Sequence, residues 1–183
     1  MDEKEIIAAC LKETAGSYQR LVEAYGPLVL AVAVNILGNR EDAEDVFQET
    51  FLRVFKNISR YDPGRSFKTW LLAITYRRAL DMIRKKGRFS RFVVRAAAAG
   101  SAAAAARPDP APADPPALPS GLLNRLSPKE RTALCLWANE GYTAGDIAEV
   151  LECSAGTARV HLFNARRKIK LLLEKDHGVL QNG

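Results

Sequence analysis

From Ala96 to Pro119 the chain offers almost nothing that a core could bury. Ala96 to Ala106 is nearly pure Ala/Gly/Ser, and Arg107 to Pro119 contains six prolines. Alanine favours helix, so the first part allows a transient one. Each proline removes a donor and restricts the residue before it, so the second part forbids one. With no large apolar side chain before Leu118, residues 96–119 read as an extended linker. The 183-residue chain then has to fold as two small units, residues 1–95 and 120–183.

Both units carry helical periodicity and neither shows a run of strand alternation, so the expected class is all-α, two small helical domains. In the first, residues 5–24 begin helical, Gly26-Pro27 interrupts, and an apolar helix follows over about 27–37, stopped by Gly38-Asn39. Val46, Phe47, Thr50, Phe51, Val54, Phe55 and Ile58 then recur at helical spacing as a core stripe. Asp45, Gln48, Glu49, Leu52 and Lys56 fall on the opposite side. Asp62-Pro63-Gly64 is a turn, and a last helix over about 68–86 mixes Trp70, Leu71, Ile74, Leu80 and Ile83 with basic residues.

In the second unit, Ser127-Pro128-Lys129-Glu130 is a capping box with proline in the first helical turn. That helix ends at Glu140-Gly141. Thr143 caps a short helix, Glu152-Cys153-Ser154 turns the chain, and a basic helix runs from Ala155 to about Leu173. Two helices across a three-residue turn, the second basic, form a helix-turn-helix pattern.

Charge is laid out by sign. Glu41 to Glu49 is an acidic cluster, whereas Arg77 to Arg95 holds eight Lys/Arg against Asp81 alone. The net charge of +6 and pI near 9.4 suit an anionic partner. One acidic surface followed by two basic ones suits a chain that grips a basic protein while touching nucleic acid at two places.

Several classes are disfavoured. Cys10, Cys135 and Cys153 are far apart and form no metal-ligand or disulfide pattern. They read as incidental thiols in a reducing compartment. His161 has only His177 for company. No metal constellation, P-loop or nucleophile–base set is present, so neither a catalytic site nor a cofactor is expected. Met1 to Glu5 is charged and mostly acidic, unlike a signal peptide, and the apolar stretch Leu28 to Leu37 is too short to span a bilayer. A cytoplasmic protein without membrane insertion is the expectation.

The runs NILGNREDAEDVFQETFLRVF (Asn35 to Phe55) and FKTWLLAITYRRALDMIR (Phe67 to Arg84) resemble region 2 of the extracytoplasmic-function sigma factors of bacterial RNA polymerase. LSPKER (Leu126 to Arg131), DIAEVL (Asp146 to Leu151) and GTARVHLFNARRK (Gly156 to Lys168) resemble their region 4. Two blocks in the family's order, separated by a linker, make the resemblance specific. It implies residues 1–95 for core-polymerase docking and −10 recognition, 96–119 as linker, and 120–183 for the −35 element. The acidic helix would dock Asp45, Gln48, Glu49 and Leu52 on the coiled coil of the polymerase's largest subunit. The second-largest subunit's flap and an anti-sigma factor are further implied partners.

For the −10 element the resemblance implies Tyr61, Phe67, Lys68, Trp70, Arg77, Arg78, Arg84 and Lys85. Tyr61 and the loop up to Phe67 would line a pocket for a flipped base. Trp70 has two readings, core residue or wedge at the melted junction. For the −35 element it implies Thr157, Arg159, Val160, His161, Phe163, Asn164, Arg166, Arg167 and Lys168. Arg77 stands where the family usually has Asn, Ala158 where it has Val, Val160 where it has Ser, and Asn164 where it has Arg. Fewer arginines leave fewer bidentate guanine contacts, whereas Asn can read adenine. The linker, with Asp109 and Asp114 against Arg107, is less acidic than is common in the family. A helix-turn-helix regulator that is not a polymerase subunit is the alternative, and residues 41–95 argue against it because a plain regulator needs no such surface.

Overall fold

The computed structural model describes residues 3–98, 120–123 and 125–180. Helices follow one another as α1 (Glu3–Leu11), α2 (Ser17–Leu37), α3 (Arg40–Asn57), a 3-10 turn (Ile58–Arg60) and α4 (Phe67–Ala98). They continue as α5 (Ser120–Leu123), α6 (Pro128–Glu140), α7 (Ala144–Leu151) and α8 (Ala155–Leu180). No strand occurs among the described residues, as the periodicity required. The linker residues 99–119 lie outside the described residues.

Gly26-Pro27 does not divide α2, contrary to the sequence expectation. Pro27 sits inside a continuous helix. Its missing N–H would have bonded the carbonyl of Glu23, and both residues lie on the exposed side, where water can serve that oxygen. Gly26 is buried against α3, and a Cβ there would stand 3.3 Å from Cε2 of Phe47. The pair therefore lets α3 come close instead of breaking the helix. The unbroken α2 is also long and apolar enough to cross a membrane by length and composition. Here it is a core helix: Leu21, Val29, Val32, Ala33 and Ile36 are buried against neighbouring helices.

α3 starts where Asn39 accepts a hydrogen bond from the Asp42 amide, with Glu41 and Asp42 favouring the helix N-terminus. Its inward stripe is the expected one. Val46, Thr50, Phe51 and Val54 are buried, with Phe47 and Phe55 partly so. The stripe meets Tyr25, Tyr61, Phe67 and Leu71 in an aromatic-rich cluster. In the second unit both capping boxes form, Ser127 with Glu130 and Thr143 with Asp146. Gly141 ends α6 at φ 65, a left-handed conformation that glycine takes without strain.

The two units share one core. Val32, Ile36, Val46, Leu72, Tyr76 and Ala79 from the first pack with Leu136, Ile147, Val150 and Leu151 from the second. α7 lies on α4 and α6 lies on α2. Full burial of each Leu, Ile or Val is worth about 1.5–3 kcal/mol, so this joint is apolar first. Polar ties then fix its register. Arg131 Nη1 donates to the Ile36 carbonyl at 2.7 Å, and Arg77 Nη2 meets Glu152 Oε1 at 2.5 Å. Nothing in the sequence had indicated either tie.

Candidate functional site

The outer face of α3 presents Asp45, Gln48, Glu49 and Leu52, all exposed, with Leu52 at 56%. One helix face holds them because their spacing follows the turn, with the phenylalanines on the other side. Neither Asp45 nor Glu49 makes an ion pair among the described residues, whereas Asp42, deeper at the helix start, holds Lys86 Nζ at 2.6 Å. The arrangement offers two uncommitted carboxylates around an amide and an apolar side chain, suited to a basic protein surface.

The residues expected at the −10 element separate into two groups. Tyr61 and Phe67 are core residues, 8% and 0% exposed. Tyr61 packs edge-on to Phe67 at 5.2 Å between ring centroids and lies 5.4 Å from Trp70. Its hydroxyl donates to the Arg65 carbonyl at 2.5 Å, and burial pushes its pKa up. Tyr61 is therefore not an open stacking platform. It clamps the 62–66 loop from within. The cause is helix geometry: Phe67 and Trp70 stand one turn apart and both close over it.

Trp70 is partly buried, in part a core residue as one of its two readings had it. It contributes to the aromatic cluster and also lines a cleft of about 250 Å³ with Arg53, Asn57, Arg60, Arg77 and Arg78. Arg53, Asn57 and Arg60 were missed from the sequence, although positions i, i+4 and i+7 of one helical face carry them. Arg78 is fixed by Asp81 at 2.8 Å, and Arg84 lies 3.6 Å from the same carboxylate. Lys85 is exposed further along α4, and Lys68 is half-buried near its start.

In the second unit, α7, the 152–154 turn and α8 form the helix-turn-helix. Ser154 caps α8, accepting from the Thr157 amide at 3.1 Å, with the two hydroxyls 2.8 Å apart. Glu152 makes the turn at φ 52, left-handed for a residue with a side chain. Arg159, Val160, Phe163 and Arg167 are exposed, and His161 and Asn164 half-buried. Arg159, Phe163, Arg166, Arg167 and Lys170 border a shallow groove along α8. Ala158, where the family usually has a larger valine, is buried in the shared core. Burial and the nearby Lys129 lower the pKa of His161, which favours the neutral ring.

Two of the expected phosphate contacts are otherwise occupied. Lys168 Nζ binds both oxygens of Glu130, at 2.8 and 2.9 Å, tying α8 to the start of α6. Burial pushes the Glu130 carboxyl up, but hydrogen bonds from Lys168 and from Ser127 outweigh it and hold the pKa below the usual range. Arg166 lies over the Trp137 ring at 4.8 Å. Among the described residues no group of three or more His, Cys, Asp or Glu is placed to hold a metal ion. Burial pushes the Cys135 thiol up to about 11 and also raises that of Cys10.

Against known families, residues 21–89 match Sigma-70 region 2 and residues 121–169 match Sigma-70, region 4. The ECF RNA polymerase sigma factor SigE of Mycolicibacterium smegmatis is 32% identical over 87% of this chain, which spans 62% of that protein's length. RNA polymerase sigma factor CarQ of Myxococcus xanthus is 31% identical, with 86% of this chain and 89% of that protein aligned. The fold is that of the sigma factor RpoE crystallised with the anti-sigma factor NepR from Bartonella quintana, at a TM-score of 0.69 and 23% identity, covering 87% of this chain and 98% of that one. The chain belongs to the extracytoplasmic-function group of RNA polymerase sigma factors.

Proposed function

We propose that this chain directs promoter-specific initiation by seating α3 on core RNA polymerase and placing α4 and α8 on the −10 and −35 elements. It acts as a cytoplasmic subunit of the initiating complex and has no catalytic step of its own. The observation that carries the reading is the division of surfaces: uncommitted carboxylates on α3, an arginine-lined cleft beside Trp70, and a capped helix-turn-helix with Arg159 and Arg167 outward. A regulator of duplex DNA alone would use only the last of these.

An anti-sigma factor is a further partner on this reading, supported by the relative captured with one. The test is run-off transcription with purified core polymerase on a promoter fragment from upstream of the chain's own operon. Asp45→Arg with Glu49→Arg is expected to abolish co-purification with core, since it sets like charges against each other across the docked surface, at a cost of several kcal/mol. Helical content should be retained. Normal co-purification of that double variant would remove α3 as the docking helix.

A further inference from the structure

Of the three cysteines, one lies where a small reagent can reach it. Cys10 and Cys135 are buried, at 0% and 6% exposure, whereas Cys153 is half-buried at the rim of the core that the two units share. Its place is fixed from both sides. The Cys153 amide donates to the Ala148 carbonyl at 3.0 Å, tying the turn to α7, and the Ala158 amide donates to the Ser154 carbonyl at 2.9 Å, tying it to α8. Glu152, the residue before it, is paired with Arg77 on α4. A sulfur so held stays close to α4.

The neighbour of Arg77 is a group with an unmet need. Tyr76 is 2% exposed, and its hydroxyl has no hydrogen-bond partner among the described residues. Burial pushes its pKa up to about 12, and the charges acting on it are those of Cys153, Arg84 and Glu152, so the hydroxyl faces the 152–153 turn with its proton in place. Buried donors in folded proteins are nearly always met. A thiol sulfur is a weak acceptor, whereas an oxygen bonded to that sulfur is a good one.

We propose that Cys153 is an oxidation site for hydroperoxides, and that the oxygen it gains accepts the Tyr76 hydroxyl and fastens the two units together. The sulfur attacks one peroxide oxygen, the S–O bond forms as the O–O bond breaks, and the departing oxygen takes up the thiol proton. With hydrogen peroxide the products are a sulfenic acid and water, so the sulfur is oxidised and the peroxide reduced. Arg77 and Arg84 border this rim, and cationic neighbours favour an oxygen of negative character. The new bond joins α4 to the helix-turn-helix turn beside the Arg77–Glu152 pair. Oxidation therefore latches the joint instead of loosening it.

The experiment treats the full chain with a small excess of hydrogen peroxide, beside Cys153→Ser and Tyr76→Phe. Dimedone trapping followed by peptide mapping should find the sulfenic acid on Cys153 and on neither other cysteine. The thermal midpoint of the oxidised parent should rise by about 2–4 °C, the shift that one net hydrogen bond gives in a chain of this size. Dithiothreitol should reverse the rise, since sulfenic acid is a reversible step of thiol oxidation. Cys153→Ser should show no rise, which also subtracts any effect of methionine oxidation. Tyr76→Phe removes an unmet hydroxyl, so before treatment it should be at least as stable as its parent. It should then be oxidised at Cys153 without gaining stability.

A label on another cysteine, or a disulfide-linked dimer in place of the sulfenic acid, overturns the proposal. So does an oxidised parent that melts no higher than the untreated chain, and so does a rise that dithiothreitol leaves in place. A Tyr76→Phe variant that gains as much as its parent removes the hydroxyl from the latch. One that fails to fold, or melts well below its parent, shows that the hydroxyl already has a partner and overturns the proposal too.

Discussion

Arg131 reaches across the molecule to donate a 2.7 Å hydrogen bond from Nη1 to the carbonyl oxygen of Ile36, ninety-five positions earlier, near the C-terminal end of α2. That carbonyl belongs to the last turn of a helix, where intrahelical donors have run out. The guanidinium supplies one from the other unit, and at 8% exposure it does so almost without water. Its Nη2 also faces the Leu126 carbonyl at 3.4 Å, so a single side chain fastens α2, α6 and the segment before α6.

Replacing Arg131 by alanine should therefore uncouple the two units. Leaving the buried Ile36 carbonyl unsatisfied costs about 1–3 kcal/mol. With Trp70→Phe in both chains so that Trp137 alone reports on the second unit, the parent should unfold in urea in one transition and Arg131→Ala in two, with helical circular dichroism following the whole.

Tyr61 gives a different expectation now that its ring is known to be enclosed. Tyr61→Ala should lower stability by about 3–5 kcal/mol, as large aromatic truncations do, and affect promoter opening only through that loss. Tyr61→Phe keeps the ring and removes the bond to the Arg65 carbonyl, at a cost of about 1 kcal/mol. Permanganate reactivity of the −10 region with the Phe variant should remain close to wild type. Abolished opening with a stable Phe variant would instead give the hydroxyl a role at the DNA.

Acid should loosen the second unit through Glu130. Its folded pKa lies below the ordinary carboxylate value, so the proton binds more readily to the unfolded chain. The stabilisation is complete above the unfolded pKa, about 4.3, and is lost as pH falls through the folded value. Asp146, lowered chiefly by its hydrogen bonds with Thr143, adds a contribution of the same sign. Glu130→Gln should be less stable near neutrality by about 1.5–3 kcal/mol and should flatten the thermal-unfolding profile between roughly pH 5 and 3.

On α8, Arg159 and Arg167 should behave differently if the first meets a base edge and the second a phosphate. Arg159→Ala should lose about 1–3 kcal/mol of discrimination between −35 sequences. Arg167→Ala should weaken all duplexes alike and reduce the salt slope by about 0.9. Lys168→Ala, by contrast, should act through stability, because that ammonium already serves Glu130. Gel shifts across a salt series with duplexes of altered −35 sequence distinguish the three.

The helices were legible in the sequence wherever a local signal existed. The Ser127–Glu130 capping box, the Thr143 cap, the α3 stripe and the 152–154 turn needed only spacing and cap chemistry, which neighbours in the chain decide. Gly26-Pro27 misled because the same dipeptide that ends an exposed helix is tolerated where an aromatic ring needs the space of a missing Cβ. The enclosure of Tyr61 was not legible, since an aromatic beside a loop reads as exposed until Phe67 and Trp70 are seen packed on it. The joint between the units left no local trace. Arg131 and Ile36 belong to different periodic patterns, and only the packed chain brings them together.

The shared core also bears on supply. Any partner that holds the two units apart must first uncover Leu72, Tyr76, Leu136, Ile147 and Val150, which the free chain keeps dry. That exposure sets a toll at the moment of engagement, independent of how well the final surfaces fit, and it lowers apparent affinity by the fraction already open. On the proposed reading, the number of chains able to engage polymerase would depend on how firmly the joint is closed as well as on how many are made.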